Sequence, residues 1–237
     1  MKVFTDLHIH SALSPCADNG MTPNNIVNMA VLKGLDIIAV TDHNSAENVG
    51  SVMKCAKDKE LTVIPGMELE TKEEVHLVCL FPNLEAALKI QDMVYASLPA
   101  LKNREEIFGH QLIMDEQDEI KGCIERLLLT AADLTIEDVY YCVKSLGGVV
   151  IPAHVDRDSY SVISNLGMVP PQLEVKYLEV SRTCDAESLK KIHPDTERYG
   201  FIKSSDAHAL GDILEREFFL ELKEISVKSL MDKLRHG

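Results

Sequence analysis

The sequence predicts a single α/β domain built on a largely parallel sheet, and three observations carry that expectation. Short β-rich runs alternate with segments of helical periodicity through all 237 residues. No low-complexity tract, internal repeat or linker-like stretch interrupts the alternation. Histidines and acids stand where apolar runs end, and a strand end is where an α/β barrel or an open α/β sheet displays its chemistry.

In chain order, residues 2–10 read as a strand. Thr22 and Pro23 then open a helix, Thr as N-cap and Pro at the first helical position. Ile26, Met29, Ala30 and Lys33 recur at helical spacing, and Gly34 ends the run. Residues 36–41 form a buried strand, 45–59 a second helix, and 61–69 and 75–81 two further strands.

The segment 83–146 has a different texture. It begins with an amphipathic helix over 83–98, with Leu84, Leu88, Val94 and Leu98 as apolar members. An irregular stretch follows over 102–122, then a helix over 123–132. A better-defined helix covers 135–146, with Thr135 as cap, Asp138 at the third position and Gly147 at its close. This segment reads as a helical insertion that caps the mouth and shapes a pocket. The alternation then resumes with strand 148–153, helix 159–166, strand 177–181, helix 186–192, strands 201–205 and 218–222, and a closing helix 226–234.

The composition, 46% hydrophobic and 26% charged, is that of a globular chain, and its length suits one domain over 1–237. A net charge of -14 argues against a broad grip on duplex DNA or an anionic membrane. The cysteines Cys16, Cys55, Cys79, Cys123, Cys142 and Cys184 form no C-x-x-C pair and several sit in apolar patterns, which reads as reduced, buried thiols. Asp6 and His8 come too early to leave room for a signal-peptide core, and no apolar run approaches the roughly 20 residues of a membrane helix. A cytoplasmic location is expected.

The chemistry lies in six short stretches: Asp6-Leu7-His8-Ile9-His10, Thr41-Asp42-His43, Pro65-Gly66-Met67-Glu68, Val75-His76, Pro152-Ala153-His154 and Ser205-Asp206-Ala207-His208. His8 and His10 are two apart on a strand, so both project to one side. Asp206 and His208 repeat that spacing. Imidazole and carboxylate are ligands that zinc, manganese and iron accept. Asp6 and Asp42, beside ligands, either orient imidazoles or serve as strand-end hydrogen-bond acceptors. The acidic run Asp115–Glu119 lacks the glycine and glutamate of a calcium loop and reads as a solvated turn. His110, His193 and His236 have no strand-end context.

These motifs, in this order and over nearly the whole chain, resemble the polymerase and histidinol phosphatase (PHP) family of metal-dependent phosphoesterases. The resemblance implies a distorted (β/α)7 barrel with up to three divalent ions, zinc, manganese or iron, at its mouth. It implies one ion on His8, His10, Glu68 and Asp206. Glu68 would bridge to a second on His76 and His154, and a third would take Asp18, His43 and His208.

Such a cluster lowers the pKa of bound water and neutralises a phosphoryl group. The expected activity is hydrolysis of a phosphomonoester, of a small metabolite or a nucleotide, by a metal-bound hydroxide. Glu68 bridges, and Arg157 and Arg182 supply guanidinium forks for phosphate. Arg104 is a further arginine candidate. The alternatives are an exonuclease acting on short oligonucleotide ends, a metal-stabilised binding module without turnover, and amide or C–O hydrolysis on a related barrel. The expected partner is a small phosphorylated substrate or short oligonucleotide, with no duplex DNA and no membrane.

Overall fold

The computed structural model describes residues 1–237. Strand β1 (Lys2–Ile9) leads through α1 (Pro23–Leu32) to β2 (Ile37–Val40), and α2 (Val49–Cys55) leads on to β3 (Thr62–Glu70) and β4 (His76–Leu80). Next come α3 (Leu84–Ser97), the single turn α4 (Glu105–Phe108), β5 (Leu112–Met114), β6 (Ile120–Cys123) and α5 (Ile136–Ser145). The chain finishes with β7 (Val149–Pro152), α6 (Val162–Leu166), β8 (Tyr177–Ser181), α7 (Ala186–Ile192), β9 (Gly200–Ser204), β10 (Phe219–Glu221) and α8 (Val227–His236).

The main sheet runs β10-β1-β2-β3-β4-β7, and β8 pairs with β9 separately. A parallel bridge from Ile9 to Ala207 joins the end of β1 to the chain just beyond β9. Across the other gap, Val155 N–H donates to Glu179 O on β8 at 2.9 Å. Strands β1, β2, β3, β4, β7, β8 and β9 therefore curl into the expected distorted barrel of seven.

Two departures from a parallel sheet have a local cause. Strand β4 runs antiparallel to β3 and to β7, with Glu70 opposite His76 and Leu77 opposite Pro152. Only residues 71–75 separate β3 from β4, too few for the crossover a parallel pair needs. Strand β10 returns antiparallel along the start of β1.

Alternate strand residues feed two apolar clusters, as the two-residue period of a strand requires. Ile38, Val40 and Val63 join Ile26, Val27, Val49 and Val52 of α1 and α2. Ile37, Ala39, Ile64, Val78 and Ile151 form the second cluster with Leu230, Met231 and Leu234 of α8. With both faces buried, the strands read as continuous apolar runs rather than alternating ones.

The segment 83–146 contains two helices of the expected type. Asn83 caps α3 by accepting from Ala86 N–H, and Thr135 and Asp138 form a capping box on α5. Between them the structure differs from expectation. Residues 102–122 hold the β5–β6 hairpin, closed by Asp115, which accepts from Gln117 and Glu119 N–H groups. The helix expected over 123–132 does not form. Its backbone is claimed by buried Gln111, which donates to the Ile124 and Arg126 carbonyls and accepts from Leu128 N–H. Asn44 takes the Leu128 and Thr130 carbonyls as well. The second helix is likewise shorter than expected, because Ala46 N–H is held by the Gln91 side chain and Asn44 sits at φ 51°.

Gly66 shows how tightly the barrel holds the strand that carries Glu68. A Cβ there would meet Thr41 Cγ2 at 2.6 Å and Val40 O at 3.2 Å, both on the neighbouring strand end. Gly66→Ala is expected to destabilise the fold by about 1–3 kcal/mol through overpacking, read as a lower thermal midpoint. An unchanged midpoint would show that β2 and β3 can separate freely.

Candidate metal centre

Six chain segments deliver side chains to one point at the barrel mouth. His8 and His10 come from the end of β1, His43 from just after β2, Glu68 from β3, His76 from β4, His154 from just after β7, and Asp206 and His208 from just after β9. The geometry falls into three overlapping groups: His8, His10, Glu68 and Asp206; His43, Glu68 and His76; and His10, His43 and His208.

In the first group, His8 Nε2 and His10 Nε2 lie 3.1 Å apart. Asp206 Oδ1 is 3.3 Å from the first and 3.0 Å from the second. Glu68 Oε1 is 3.3 Å from His8 Nε2, and Glu68 Oε2 is 3.4 Å from His10 Nε2. The remaining contacts of Glu68 turn to other histidines. His76 Nδ1 is 2.8 Å and His154 Nε2 3.2 Å from its Oε1, and His43 Nδ1 is 3.0 Å from its Oε2.

Partner chemistry assigns the histidine tautomers. The carboxylate of Glu179, on β8, receives His8 Nδ1 at 3.0 Å. A carboxylate only accepts, so Nδ1 carries a hydrogen and Nε2 is the nitrogen turned to the mouth. Ser14 Oγ donates to Asp42 Oδ1 at 2.7 Å and so accepts from His10 Nδ1 at 2.9 Å. That fixes His10 Nε2 in the same sense. His208 Nδ1 donates to Asp206 O at 2.8 Å, which frees its Nε2.

At 3.1 Å the two Nε2 atoms share either a proton, which the raised His8 pKa supplies, or a divalent cation in its place. Nitrogens on one tetrahedral zinc ion stand about 3.3 Å apart. Glu68 Oε2 and His154 Nδ1 are also buried without a well-aligned hydrogen bond. The donor set fits divalent cations.

The electrostatics agree. Burial works against a charged Glu68, but His76, His8 and His43, with the bond to His154, hold it well below the usual carboxylate range. Burial likewise opposes ionisation of Asp206, yet His8 and His10 hold its pKa down too. Burial disfavours a charged His8, but Glu179, Glu68 and Asp206 raise it well above an ordinary imidazole. His43 and His76 rise for the same reason, against the same burial. His10 goes the other way, lowered by burial and by His43.

Not every candidate reaches the mouth. Asp18 joins none of the three groups. Its Oδ1 accepts from Gly20 N–H at 2.6 Å in a local turn, while its own N–H donates to His208 O. Arg157 does face the site, paired with Asp206 Oδ2 at 2.6 Å, and lines its cavity of about 140 Å³ with Ser159 and Tyr160. Arg182 lines a separate cavity with Lys33, Thr183 and Glu217, because β8 ends before its side chain can turn inward. Arg104 lies over Phe108, and His110 pairs with Glu105 on the surface.

Other residues matter more than their sequence context suggested. Glu179 is a buried acid in an otherwise apolar strand, and that anomaly was its one available signal. Asp42 orients His10 through Ser14, and also accepts from Ser11. Asp6 touches no imidazole. It accepts from Ser205 and Leu214 N–H groups and so pins the loop that carries Asp206 and His208. Cys16, expected to be buried, is exposed at the mouth, with its Sγ 3.1 Å from His208 Nε2. Burial would raise this thiol, but hydrogen bonds to His208 and His43 bring its pKa down to about 7.

The curled barrel carries a ring of imidazoles and carboxylates whose donors are grouped closely enough to hold divalent ions. The chain belongs to the PHP domain family, whose model matches residues 6–140.

An uncharacterized protein of Methanocaldococcus jannaschii is 28% identical over 161 residues, which is 68% of this chain and 17% of that protein. A 5'-3' exoribonuclease of Haemophilus influenzae is 30% identical over 94 residues, 36% of this chain and 33% of that enzyme. The chain thus spans a third or less of these two relatives.

Among solved structures, a lesion-specific endonuclease from Pyrococcus furiosus superposes with TM-score 0.74 at 19% identity, covering 100% of this chain and 57% of that one. Endonuclease Q with a 27-mer duplex and an abasic lesion at its active site gives TM-score 0.73 at 19% identity, with the same 100% and 57% coverage. A putative metal-dependent phosphoesterase of Bifidobacterium adolescentis gives 0.61 at 18% identity over 88% of this chain and 89% of that one. At these identities the structures share a fold with this chain.

Two outcomes test the centre. Glu179→Gln keeps the shape of the His8 partner but removes its charge, and should weaken divalent-ion affinity about 10–100-fold with the fold retained, measured against a competing chelator. Unchanged affinity would remove Glu179 from the centre. A cation must also displace protons from His8, His43 and His76, whose pKa values are raised. Affinity should therefore climb with pH and fall as pH drops through those raised values. A zinc competition titration flat between about pH 6 and 8 would contradict this.

Proposed function

We propose that this chain hydrolyses a phosphomonoester of a small metabolite or nucleotide, using two or three divalent ions held by His8, His10, His43, Glu68, His76, His154, Asp206 and His208. The observation that carries the reading is the position of Glu68, whose two carboxylate oxygens are shared between separate sets of imidazoles. A carboxylate so placed spaces neighbouring cations. Zinc, manganese or iron bound there would generate a nucleophile from water near neutral pH and neutralise the phosphoryl group.

The protein's own groups position the substrate. Arg157 is 44% exposed and uses Nη1 on Asp206, which leaves other N–H groups for phosphoryl oxygens. Tyr160 stacks on His76 at 4.7 Å and stays half-exposed, so it offers an aromatic wall to whatever the phosphate is attached to. A cavity of about 140 Å³ suits a phosphoryl group with the first atoms of its leaving group.

The segment 83–146 contributes none of the residues that line this cavity. It braces the loops beside it, through Asn44 next to His43 and through Leu112 N–H on Ala12 O. Gly109 sits against the Pro15 carbonyl at φ 98°, where a side chain would collide. Its role as a cap is thus to hold the rim that carries the ligands, within one domain over 1–237.

A second reading is action on a nucleic-acid terminus or lesion. The similarity to a 5'-3' exoribonuclease favours it, as does the endonuclease fold with a 27-mer duplex at its active site. The expectation of no duplex DNA rested on net charge alone and loses its support here. No helix is long and apolar enough to cross a membrane.

Turnover of nucleotides, sugar phosphates and lesion-bearing duplexes with added manganese or zinc tests the choice between substrates. Glu68→Gln should abolish turnover at matched metal content, and near-normal turnover would remove Glu68 as the bridge. Arg157→Ala should lower kcat/KM about 10–100-fold, the worth of one charge-assisted hydrogen bond to phosphate. A loss of metal without a change in kcat/KM per bound ion would assign Arg157 to Asp206 alone.

A further inference from the structure

We propose that Cys16, not Asp18, completes the third cation site with His43 and His208, and that its thiolate gives this site a preference for zinc or iron over manganese. The inference rests on reading the mouth as a metal centre, but not on the reaction assigned to it.

Three observations converge on Cys16. Its Sγ lies 3.1 Å from His208 Nε2, the nitrogen left with a lone pair once Nδ1 donates to Asp206 O. His43, grouped with His208 in one donor set, has its Nδ1 turned to Glu68. The loop that presents the thiol is firmly built. Ala17 N–H donates to Ser14 O, Asp18 N–H to His208 O, and Ala12 N–H to Met21 O. Ser14 itself is tied to Asp42 and His10, so the turn carrying Cys16 is anchored to the first cation group.

The rival ligand is disposed of by the same loop. The Asp18 carboxylate is exposed and engaged with Gly20 N–H at 2.6 Å, while its backbone rather than its side chain reaches His208. The backbone bond from Asp18 to His208 places the cysteine two residues earlier against the imidazole.

The chemistry that follows differs across the mouth. The first group offers two imidazoles and two carboxylates, which zinc, manganese or iron accept. A site of two imidazoles and a thiolate is soft, and excludes manganese and magnesium in favour of zinc or ferrous iron. An exposed thiol at a catalytic mouth is also open to alkylation and oxidation unless a cation holds it.

The test uses the full chain loaded with cobalt(II) chloride. Wild type should show a near-ultraviolet thiolate-to-cobalt charge-transfer band. Cys16→Ser should lose it along with one ion per chain by elemental analysis, and Asp18→Asn should keep both. Zinc should slow alkylation of Cys16 by iodoacetamide about 10-fold or more, with exposed Cys123 as the internal reference. The proposal is overturned if wild type lacks the band, if Cys16→Ser retains it, or if Asp18→Asn is the variant that loses an ion. A protein that shows the band but hydrolyses no phosphoester would sink the proposed reaction and leave this ligand assignment standing. An active phosphoesterase without the band would do the reverse.

Discussion

A single buried carboxylate organises the mouth. Glu68 is 1% exposed, and an ionised carboxylate at that depth is destabilised by several kcal/mol unless charge or hydrogen bonds surround it. The surroundings supply five imidazoles, from His8, His10, His43, His76 and His154, each within 3.4 Å of one of its oxygens. Those imidazoles come from four strand ends, which the closed barrel brings around Glu68. Partly protonated, the ring can balance the acid. With divalent ions between its members, the same donors are satisfied by the cations in place of protons.

The backbone around this ring is held in uncommon conformations. Asn44, His154, Tyr160 and Asp206 all adopt positive φ, between 30° and 55°. Each is a residue other than glycine, each stands at or beside a donor, and each sits on a loop tied down on both sides. His154 N–H is fixed by Glu179 Oε1 and Asp206 is flanked by the Ser205 N–H bond to Asp6. Such conformations cost of order 1–3 kcal/mol apiece and persist only where surrounding contacts impose them. Here Glu179 holds His154 and Asp6 holds the residue before Asp206, while Asn44 is held by Glu70, Leu128 and Thr130 backbone groups. Asp6 and Glu179 hold backbone near the site, and Glu179 directly and Asp42 through Ser14 set which nitrogen of His8 and His10 faces the mouth.

Much of this was legible before the structure. Strand ends could be placed because apolar runs stop at polar, metal-competent residues, and the helix beginning at Thr22-Pro23 and the capping box at Thr135 were marked by their own chemistry. The spacing of residues 69 to 75 also held the antiparallel turn, since so short a connection forbids a crossover. Reading the sheet as largely parallel left that arithmetic unused. The expected helix over 123–132 failed for a reason no local pattern contains: a buried Gln111 side chain takes its backbone groups. At the site, which histidines and acids gather at the mouth was readable from residue type and spacing, whereas the direction of each side chain was not. Asp18 and Cys16 are two residues apart in one turn, and only the three-dimensional path of that turn shows which of them looks at His208.

That last distinction bears on how a barrel of this kind acquires its chemistry. The first cation group is built from β1, β3 and the loop after β9, elements that the core cannot move without losing its packing. The proposed third site draws on loop 11–20, which the core touches through Ser14 and the segment 83–146 touches through Gly109 against Pro15 and Leu112 N–H on Ala12 O. A change in that loop can therefore replace a hard ligand with a soft one while His8, His10, Glu68 and Asp206 stay where they are. The segment 83–146 acts at the same level. By bracing the loop rather than lining the cavity, it governs the outermost cation position and leaves the central carboxylate to the barrel.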